Sequence, residues 1–288
     1  MTPITNSGGS DHMTEGIARP DPTAKRRRRR ASTRPHVSIP ELGLTLKWIR
    51  EDLGLTQDEA AEKVGYSAVQ LGRFERGVQA PSVAALGEII SGYHVTRTMG
   101  WHLHELAAPA IMLAPTDALR SYVRAEESLM VSLDRFQERG VAAAFIDPLW
   151  NVLACNTLFS DALPGLDRSW SIPLWMFSEQ GKAAVVDPED EAAWSVSMWK
   201  AALGRHRTSD QARNLVADLA QNSEARRLWA ASLAVATGRD ARRPMHARDS
   251  QGNLVSYQLA LTEGLSAHHV QLLTATPEPY SGTTDIPK

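Results

Sequence analysis

The stretch Leu53–Pro81, LGLTQDEAAEKVGYSAVQLGRFERGVQAP, decides the fold of the N-terminal part of this chain. Thr56 is followed three residues later by Glu59, which is a capping-box pattern, so we expect a helix to begin at the next residue after Thr56. Gly65 suits the left-handed residue that ends a helix, and Ser67 is a good N-cap for another one. The pattern therefore predicts two short helices joined by a very tight turn.

The second of these helices has an outward face that suits a nucleic acid. It is expected to start at Val69 or Gln70 and to end at Arg76, before Gly77. Leu71 and Phe74, with Val78 as a further candidate, are assigned to the core. The outward side chains near its start are Ala68, Val69, Gln70 and Arg73. A short helix that presents such a face beside the positive end of a neighbouring helix has the geometry that enters a major groove.

The string TQDEAAEKVGYSAVQLGRFERG resembles the XRE, or repressor/Cro-like, helix-turn-helix family. The resemblance spans roughly Ile39–Val95 and implies an α-helical DNA-binding domain of five helices. In that family the residue at the position of Gln57 binds backbone phosphate through its side chain and its helix end. The resemblance also implies recognition positions and one residue near phosphate: Ser67, Ala68, Val69, Gln70 and Arg73, with Arg76 beside the phosphate.

Base reading follows from the chemistry of the outward side chains. Arg73 favours guanine N7 and O6, and Gln70 favours adenine. Ala68 and Val69 suit thymine methyl groups, while phosphate contacts set the register. Gly72, inside the same helix, is expected to cost about 1 kcal/mol relative to Ala.

The N-terminal segment differs in composition from the rest of the chain. Residues 1–38 are rich in Gly, Pro, Ser, Thr and Arg and lack apolar periodicity, so we expect a disordered basic arm. Residues 1–40 hold eight basic and three acidic residues, while the whole chain has a formal charge of −2. The run Arg26–Arg30 is either a solvated tail or a flexible arm on the DNA backbone or minor groove, and both interpretations stay open.

Several classes of protein find no support in the sequence. Cys155 is the single cysteine, so no internal disulfide is expected, and no apolar run reaches the roughly 18 residues of a membrane span. His102 and His104 stand two apart on a predicted helix and face different sides, which argues against a metal site with Glu105. No phosphate loop, HExxH or GxSxG occurs. We therefore expect a cytoplasmic, nucleoid-associated protein that is not an enzyme, with no membrane association, cofactor or metal.

The remainder of the chain indicates a second, mixed domain. We divide the sequence into an arm over 1–38, a helix-turn-helix domain over 39–106, a linker over 107–118, a second domain over 119–277 and a disordered tail over 278–288. Helices are predicted over 117–139 and 188–203, and after caps at Ser209 and Ser223. A β-hairpin is predicted over 141–146 and 151–156, and the alternation of Asn253–Leu261 predicts a strand flanked by antiparallel strands over 243–248 and 269–276.

This second part resembles the ligand-binding domain of MmyB-like regulators, an α+β PAS-like fold with an antiparallel sheet. The resemblance rests on VAAAFIDPLWNVLACNTLF, LVADLAQNSEARRLWA and SYQLAL, and spans about Leu119–Pro277. It implies a small hydrophobic, fatty-acid-like ligand. Because ligand pockets are mostly apolar, the candidate lining residues are the following, each of which is alternatively a core residue: Trp150, Phe159, Trp175, Phe177, Trp194, Met198, Trp229 and Tyr257.

The sequence thus predicts a transcription regulator that binds double-stranded DNA as a homodimer. A near-palindromic operator is expected, with half-sites about 34 Å apart, and contact with RNA polymerase is a further expectation. Two alternatives stay open: an enzyme that uses the C-terminal pocket, and a ligand-independent regulator whose C-terminal domain only dimerises or binds a protein partner.

Overall fold

The computed structural model of the protein describes residues 37–240, 242–249, 251–263 and 269–282. The arm predicted over 1–38 lies outside these residues except for Val37 and Ser38, and the tail predicted over 278–288 lies outside them beyond Gly282. Val37 is 6% exposed and packs in the core of the C-terminal domain. The packed part of the chain therefore includes Val37, two residues before the predicted boundary at Ile39.

Five helices form the N-terminal domain, in agreement with the sequence. They are α1 (Leu42–Asp52), α2 (Gln57–Val64), α3 (Ala68–Glu75), α4 (Val83–Gly92) and α5 (Arg97–Ala107). The predicted capping box is present, because the Thr56 amide donates to the Glu59 carboxylate at 2.7 Å and the Glu59 amide donates to the Thr56 hydroxyl at 3.3 Å. Gly65 has a φ of 77° and ends α2. These local features confirm the predicted helix-turn-helix.

The core of this domain lies between all five helices. Leu71 and Phe74 on α3 are buried as expected. Val78, the further candidate, is 71% exposed, so that assignment is wrong. The physical reason is that α3 ends at Glu75 and the left-handed Gly77, with a φ of 67°, turns the chain outward before Val78.

The described residues of the C-terminal domain form eight helices and five strands. The helices are α6 (Thr116–Ala125), α7 (Glu127–Glu138), α8 (Thr157–Ala162), α9 (Ile172–Met176), α10 (Glu179–Ala184), α11 (Pro188–Arg205), α12 (Asp210–Leu219) and α13 (Ser223–Ala231), with a 3₁₀ turn at Leu166–Arg168. The strands are β1 (Ala142–Ile146), β2 (Val152–Cys155), β3 (Met245–Arg248), β4 (Leu254–Glu263) and β5 (Gln271–Pro279). All pairings are antiparallel, in the order β2–β1–β5–β4–β3. This is the α+β architecture that the resemblance implied.

Several element boundaries differ from the sequence-based expectation. The helix predicted over 117–139 is two helices, because Glu126 has an extended backbone with a ψ of 98°. The last helix is capped by Asn222 and not by Ser223, since the Asn222 side chain accepts from the amides of Glu224 and Ala225. Strand β5 ends at Pro279, beyond the predicted end at residue 276.

The sheet lies between two layers of helices. All five residues of β1 are buried. Ala143 and Phe145 face α6 and α7, whereas Ala144 and Ile146 belong to the larger core on the other face, which α8–α13 cover. On β4 the predicted alternation of buried and exposed residues fails at two positions. Leu261 is exposed, whereas Ser256 is fully buried and its hydroxyl forms hydrogen bonds with His246 and Ser281.

The predicted linker is packed against the C-terminal domain. The Ile111 amide donates to the Arg205 carbonyl at 3.0 Å, and the Ile111 carbonyl lies 3.0 Å from Nδ1 of His206. Leu113 is buried in the main core of the C-terminal domain. Residues 108–115 therefore connect the domains as a docked segment.

The two domains also pack directly on each other. Leu233 and Val235, which follow α13, contact the hydrophobic core of the N-terminal domain. Arg205 on α11 forms an ion pair with Glu105 on α5 at 2.7 Å. The core of the N-terminal domain is thus completed by residues from the other end of the sequence. Among the helices described, none combines the length and apolarity needed to cross a bilayer.

Candidate DNA-binding surface and ligand pockets

The side chains predicted to contact DNA lie on the outer face of α3 and at the start of α2. Val69 is 66% exposed, while Leu71 and Phe74 on the opposite face are in the core. Ser67, Arg73 and Arg76 are exposed, and Gln57, Ala68 and Gln70 are half-buried. All seven predicted residues are therefore at least partly accessible to solvent.

A buried ion pair holds the end of α3 against α1. Glu75 is only 3% exposed, and its carboxylate accepts from Arg50 Nε at 2.5 Å and from Arg50 Nη2 at 3.1 Å. Arg50 also donates to the Leu55 carbonyl at 2.8 Å. Burial, with a contribution from the Glu75 charge, raises the pKa of the neighbouring Tyr93 to about 12. No local pattern in the sequence indicates this pair.

Glu75 also positions a predicted phosphate-binding side chain. The Gln57 amide nitrogen donates to the second Glu75 oxygen at 2.8 Å. Since this bond fixes the amide, Gln57 is held beside α3 at the start of α2. The Arg50–Glu75 pair and Gln57 thus form one network that links α1, α2 and α3.

Gly72 gives two of the predicted DNA-contacting side chains room to lie close to the backbone of α3. A Cβ at this position would lie 3.0 Å from Nη1 of Arg76 and 3.4 Å from the Gln57 amide nitrogen. Both polar groups therefore lie directly over the backbone of α3. The close approach explains a glycine within a helix that would otherwise gain about 1 kcal/mol from Ala.

The helix-turn-helix domain is not basic. Residues 41–107 contain six Lys or Arg and nine Asp or Glu, and Asp58 and Glu59 stand in the first turn of α2. Acidic residues at that helix end reduce its attraction for phosphate. Positive charge on the candidate surface is therefore local, at Arg73 and Arg76.

Two family models match the chain, and together they cover both domains. A helix-turn-helix domain model matches residues 41–100. The model of the MmyB-like transcription regulator ligand binding domain matches residues 127–286, which is more than half of the chain. The chain belongs to the MmyB-like transcription regulators. Both resemblances identified in the sequence are thereby confirmed. No curated protein matches this MmyB-like regulator.

The aromatic residues predicted to line a ligand pocket do not surround one cavity in the MmyB-like regulator. Five belong to the main core of the C-terminal domain: Phe159, Trp175, Phe177, Trp229 and Tyr257. Phe177 and Trp229 also line pockets at the edge of that core, and the Trp175 ring nitrogen donates to the Pro164 carbonyl at 2.9 Å. The Arg239 guanidinium lies over the Trp194 ring, with its central carbon 4.8 Å from the ring centroid.

Trp150 and Met198 line a cleft on the side of the domain junction, which we call the lateral cleft. Its polar wall contains Arg205, Glu105 and Glu263. The Arg205 guanidinium forms ion pairs with the carboxylates of Glu105, at 2.7 Å, and Glu263, at 3.7 Å. The cleft therefore offers a mixed, largely paired polar surface beside apolar side chains that include Trp150 and Met198.

A second space, the junction pocket, lies between α1 and α5 of one domain and α11 and α13 of the other. It is lined by Ser38, Pro40, Thr45, Trp48, Met99, His102, Lys200, Trp229, Leu233 and Val235. Lys200 is buried and donates to the carbonyls of Trp229 at 2.9 Å and Ser232 at 2.6 Å. Of the predicted ligand-lining residues, only Trp229 lies in this wall.

His102 is 2% exposed and has a lowered pKa. Burial, together with the charge of Lys200, reduces its pKa from 6.5 to about 4. His104 is exposed on the other side of α5, as the sequence argument against a metal site expected. In the part of the chain that the structure describes, no group of three metal-ligating side chains occurs.

The junction pocket has no signature in the sequence, because its walls are far apart in the chain. Ser38 and Val235 are separated by almost two hundred residues. The single local signal was a lysine within the otherwise buried face of α11, at Lys200. A buried lysine needs hydrogen-bond partners, and those partners came from the end of α13.

Proposed function

We propose that this protein is a sequence-specific regulator that binds a near-palindromic operator as a homodimer and senses a small hydrophobic molecule through its C-terminal domain. The observation that carries the DNA-binding part is the outer face of α3, where Val69 and Arg73 project to solvent while Leu71 and Phe74 anchor the helix in the core. A recognition helix needs this combination, because it must reach the bases without loss of packing.

Phosphate and base contacts are divided between the two helices. Gln57 and Arg76, which both lie over Gly72, bind backbone phosphate and set the register. Gln70 and Arg73 read adenine and guanine edges, and Val69, with the half-buried Ala68, touches thymine methyl groups. Specificity therefore comes from α3 alone.

In the dimer, two such helices face the same side of the duplex, about 34 Å apart. The C-terminal domain binds and does not catalyse. Contact with RNA polymerase and a place at the nucleoid, in the cytoplasm, follow from the role in transcription.

A ligand changes operator affinity only through different affinities for two states of the protein, typically about 1–3 kcal/mol of coupling. The packing of Leu233 and Val235 on the DNA-binding domain, and the Arg205–Glu105 pair, supply a direct mechanical connection between the domains. Movement of α11 or of the segment after α13 is thereby transmitted to α1 and α5.

Selection of operator sequences from a random duplex library with the full chain tests the proposal. Arg73→Ala should then lose about 1–3 kcal/mol at one base position, while Arg124→Ala, which removes an exposed charge from α6, should bind as the unchanged chain does. Equal weakening on all sequences would assign Arg73 to phosphate. A chain that ignores duplex DNA at low salt would overturn the proposal.

One observation favours the alternative of a ligand-independent C-terminal domain. Five of the eight predicted ligand-lining residues pack in its core, including Phe159 and Trp175. Native mass spectrometry of the protein isolated from cells separates the two functions. A retained molecule supports sensing, whereas a bare dimer or a bound protein supports the alternative.

A further inference from the structure

We infer that residues 232–240 form a releasable strap between the two domains, and that the Arg239–Glu191 ion pair is its latch. The described residues 232–240 follow α13 and belong to no helix or strand. They contact α11 of the C-terminal domain and also the core of the DNA-binding domain. Release of the strap therefore loosens α1 and α5, although the latch itself lies in the other domain.

Helix α11 holds the start and the middle of the strap through its backbone. The Lys200 ammonium donates to the Ser232 carbonyl at 2.6 Å. The Ala236 amide donates to the Ser197 carbonyl at 3.0 Å. These two bonds fix the path of the strap over α11 from its first residue to its fifth.

The end of the strap is fixed by a side chain whose charge is almost completely enclosed. The Arg239 side chain is 8% exposed, and that of its partner Glu191 is 11% exposed. The guanidinium binds both carboxylate oxygens of Glu191, one of them at 2.8 Å, and donates to the Pro244 carbonyl at 3.1 Å. It also covers the Trp194 ring. A two-point pair fixes direction as well as distance, so this pair determines where the end of the strap lies.

The strap also contacts the DNA-binding domain. Leu233 and Val235 are half-buried and pack against the core of that domain, whereas Ala234 between them is exposed. Trp48 on α1 and Met99 on α5 line the same pocket as these two strap residues. The strap crosses α11 obliquely, because its contacts follow an inclined row of the helix surface, at positions 191, 194, 197 and 200. It thus joins α11 to α1 and α5.

The latch decides whether the strap stays in place. A segment without regular structure loses backbone entropy at every residue that is ordered, and its contacts must offset that loss. The described contacts of the Arg239 side chain are with residues 191–244 of the C-terminal domain. A change at Arg239 therefore reaches the DNA-binding domain through the strap or through α11. The effect on operator affinity rests on the proposed function, whereas the coupling between latch and domain does not.

Hydrogen exchange of the full chain tests the inference. In the open-latch variant, Glu191→Gln with Arg239→Ala, no charge is left buried without its partner. Amides of α1 and α5 should exchange about five- to thirtyfold faster, whereas amides of β1 should keep their rates. Acceleration in β1 as large as that in α1 and α5 would show a general loss of stability and overturn the inference.

The matched control is an exposed ion pair on the same turn of α11. Arg227 on α13 lies 2.8 Å from Glu189, and both side chains are more than half exposed. Glu189→Gln with Arg227→Ala should leave the exchange of α1 and α5 unchanged. Glu191→Asp, which keeps the charge and shortens the side chain, is a milder opening of the latch and should accelerate α1 and α5 less, in the same pattern. Equal acceleration by the control pair would overturn the role of the latch.

Leu233→Ala separates the strap from α11 as the carrier of the effect. In the unchanged chain it should accelerate exchange in α1 and α5 by about five- to thirtyfold. In the open-latch variant, where the strap is already released, it should add less than about twofold. Equal factors in the two backgrounds would mean that the latch and Leu233 act independently, and the inference would be wrong.

The same preparations are assayed with duplex DNA. A chain that binds DNA and shows equal factors in the two backgrounds refutes the strap and leaves the regulator. A chain that shows the expected exchange pattern and binds no DNA refutes the regulator and leaves the strap.

Discussion

Arg50 and Glu75, which stand 25 residues apart in the sequence, form a buried two-point ion pair with nitrogen–oxygen distances of 2.5 and 3.1 Å. The pair ties α1 to the last turn of α3, and the Glu75 carboxylate also holds the Gln57 amide. The position of the recognition surface thus depends on a contact in the interior of the domain.

Breaking this pair should strongly destabilise the DNA-binding domain. Glu75→Gln leaves the buried Arg50 charge with only the more distant Glu51 carboxylate, at 3.7 Å, and the expected loss in the free energy of unfolding is about 3–5 kcal/mol. Replacing both residues, in Arg50→Met with Glu75→Leu, should recover most of that loss. Urea denaturation measures all three proteins.

The control for this prediction is the exposed pair Lys47–Glu51 on α1, with a separation of 3.9 Å. Lys47→Met should change stability by less than about 0.5 kcal/mol. Equal effects at the two pairs would contradict the special role of Glu75.

Two glycines in helices should respond to alanine with opposite signs. A Cβ at Gly43 would lie 2.6 Å from the Phe74 carbonyl oxygen, so Gly43→Ala should cost about 1–3 kcal/mol by forcing α1 away from α3. Gly87 on α4 has nothing within 4 Å of that position, and Gly87→Ala should stabilise by about 0.5–1 kcal/mol. Thermal unfolding of both variants gives the signs directly, and a stabilising Gly43→Ala would contradict the close packing of the two helices.

Acidification should destabilise the protein through His102. Burial, together with the charge of Lys200, lowers its pKa to about 4, whereas the unfolded chain takes up the proton near pH 6.5. The unfolded state therefore binds more protons between these values, and stability falls as the pH falls through this window. The loss from this residue is about 2 kcal/mol between pH 7 and pH 5.

The free energy of unfolding as a function of pH measures this loss. His102→Leu should flatten the slope, and His104→Leu, at an exposed position on the same helix, should keep it. An unchanged slope in His102→Leu would contradict the assignment. His206, whose pKa burial also lowers to about 4, contributes in the same direction in every variant.

The DNA-binding domain should be weakened by a change in the other domain. Leu233 contacts its core from the segment after α13. Leu233→Ala should destabilise α1 and α5 by about 1–2 kcal/mol, which is less than for a fully buried leucine. Hydrogen exchange of amides in these helices measures the effect, and Leu261→Ala on the exposed end of β4 is the matched control. Protection that changes in neither variant would show that the domains are energetically independent.

The basic run Arg26–Arg30 should supply much of the attraction for DNA. The helix-turn-helix domain carries more acidic than basic residues, so five added positive charges matter at a phosphate backbone. Replacing all five by Gln should weaken binding on every sequence. It should also reduce the slope of the logarithm of the binding constant against the logarithm of the salt concentration, by about one for each phosphate that the arm no longer neutralises. Fluorescence anisotropy at several salt concentrations measures this slope. An unchanged slope would identify the run as a solvated tail.

Local chemistry accounts for the features that the sequence predicted well. The start of α2 after Thr56, its end at Gly65 and the cap at Ser67 each depend on residues within four positions of one another. The same holds for the hairpin of β1 and β2, and for α11, which begins at Pro188 as its acidic first turn indicated. Each helix start or end satisfies backbone groups nearby, so its signal lies in consecutive residues.

The sequence by itself therefore determined the helix-turn-helix, its outward side chains and the mixed architecture of the second domain. Only the tertiary structure decided that Glu75 joins Arg50, that Leu233 closes the core of the other domain, and that Ser38 and His102 line one pocket. Such contacts join residues tens to hundreds of positions apart. Because periodicity and capping report only on neighbours along the chain, partners that meet through packing leave no local pattern in the sequence.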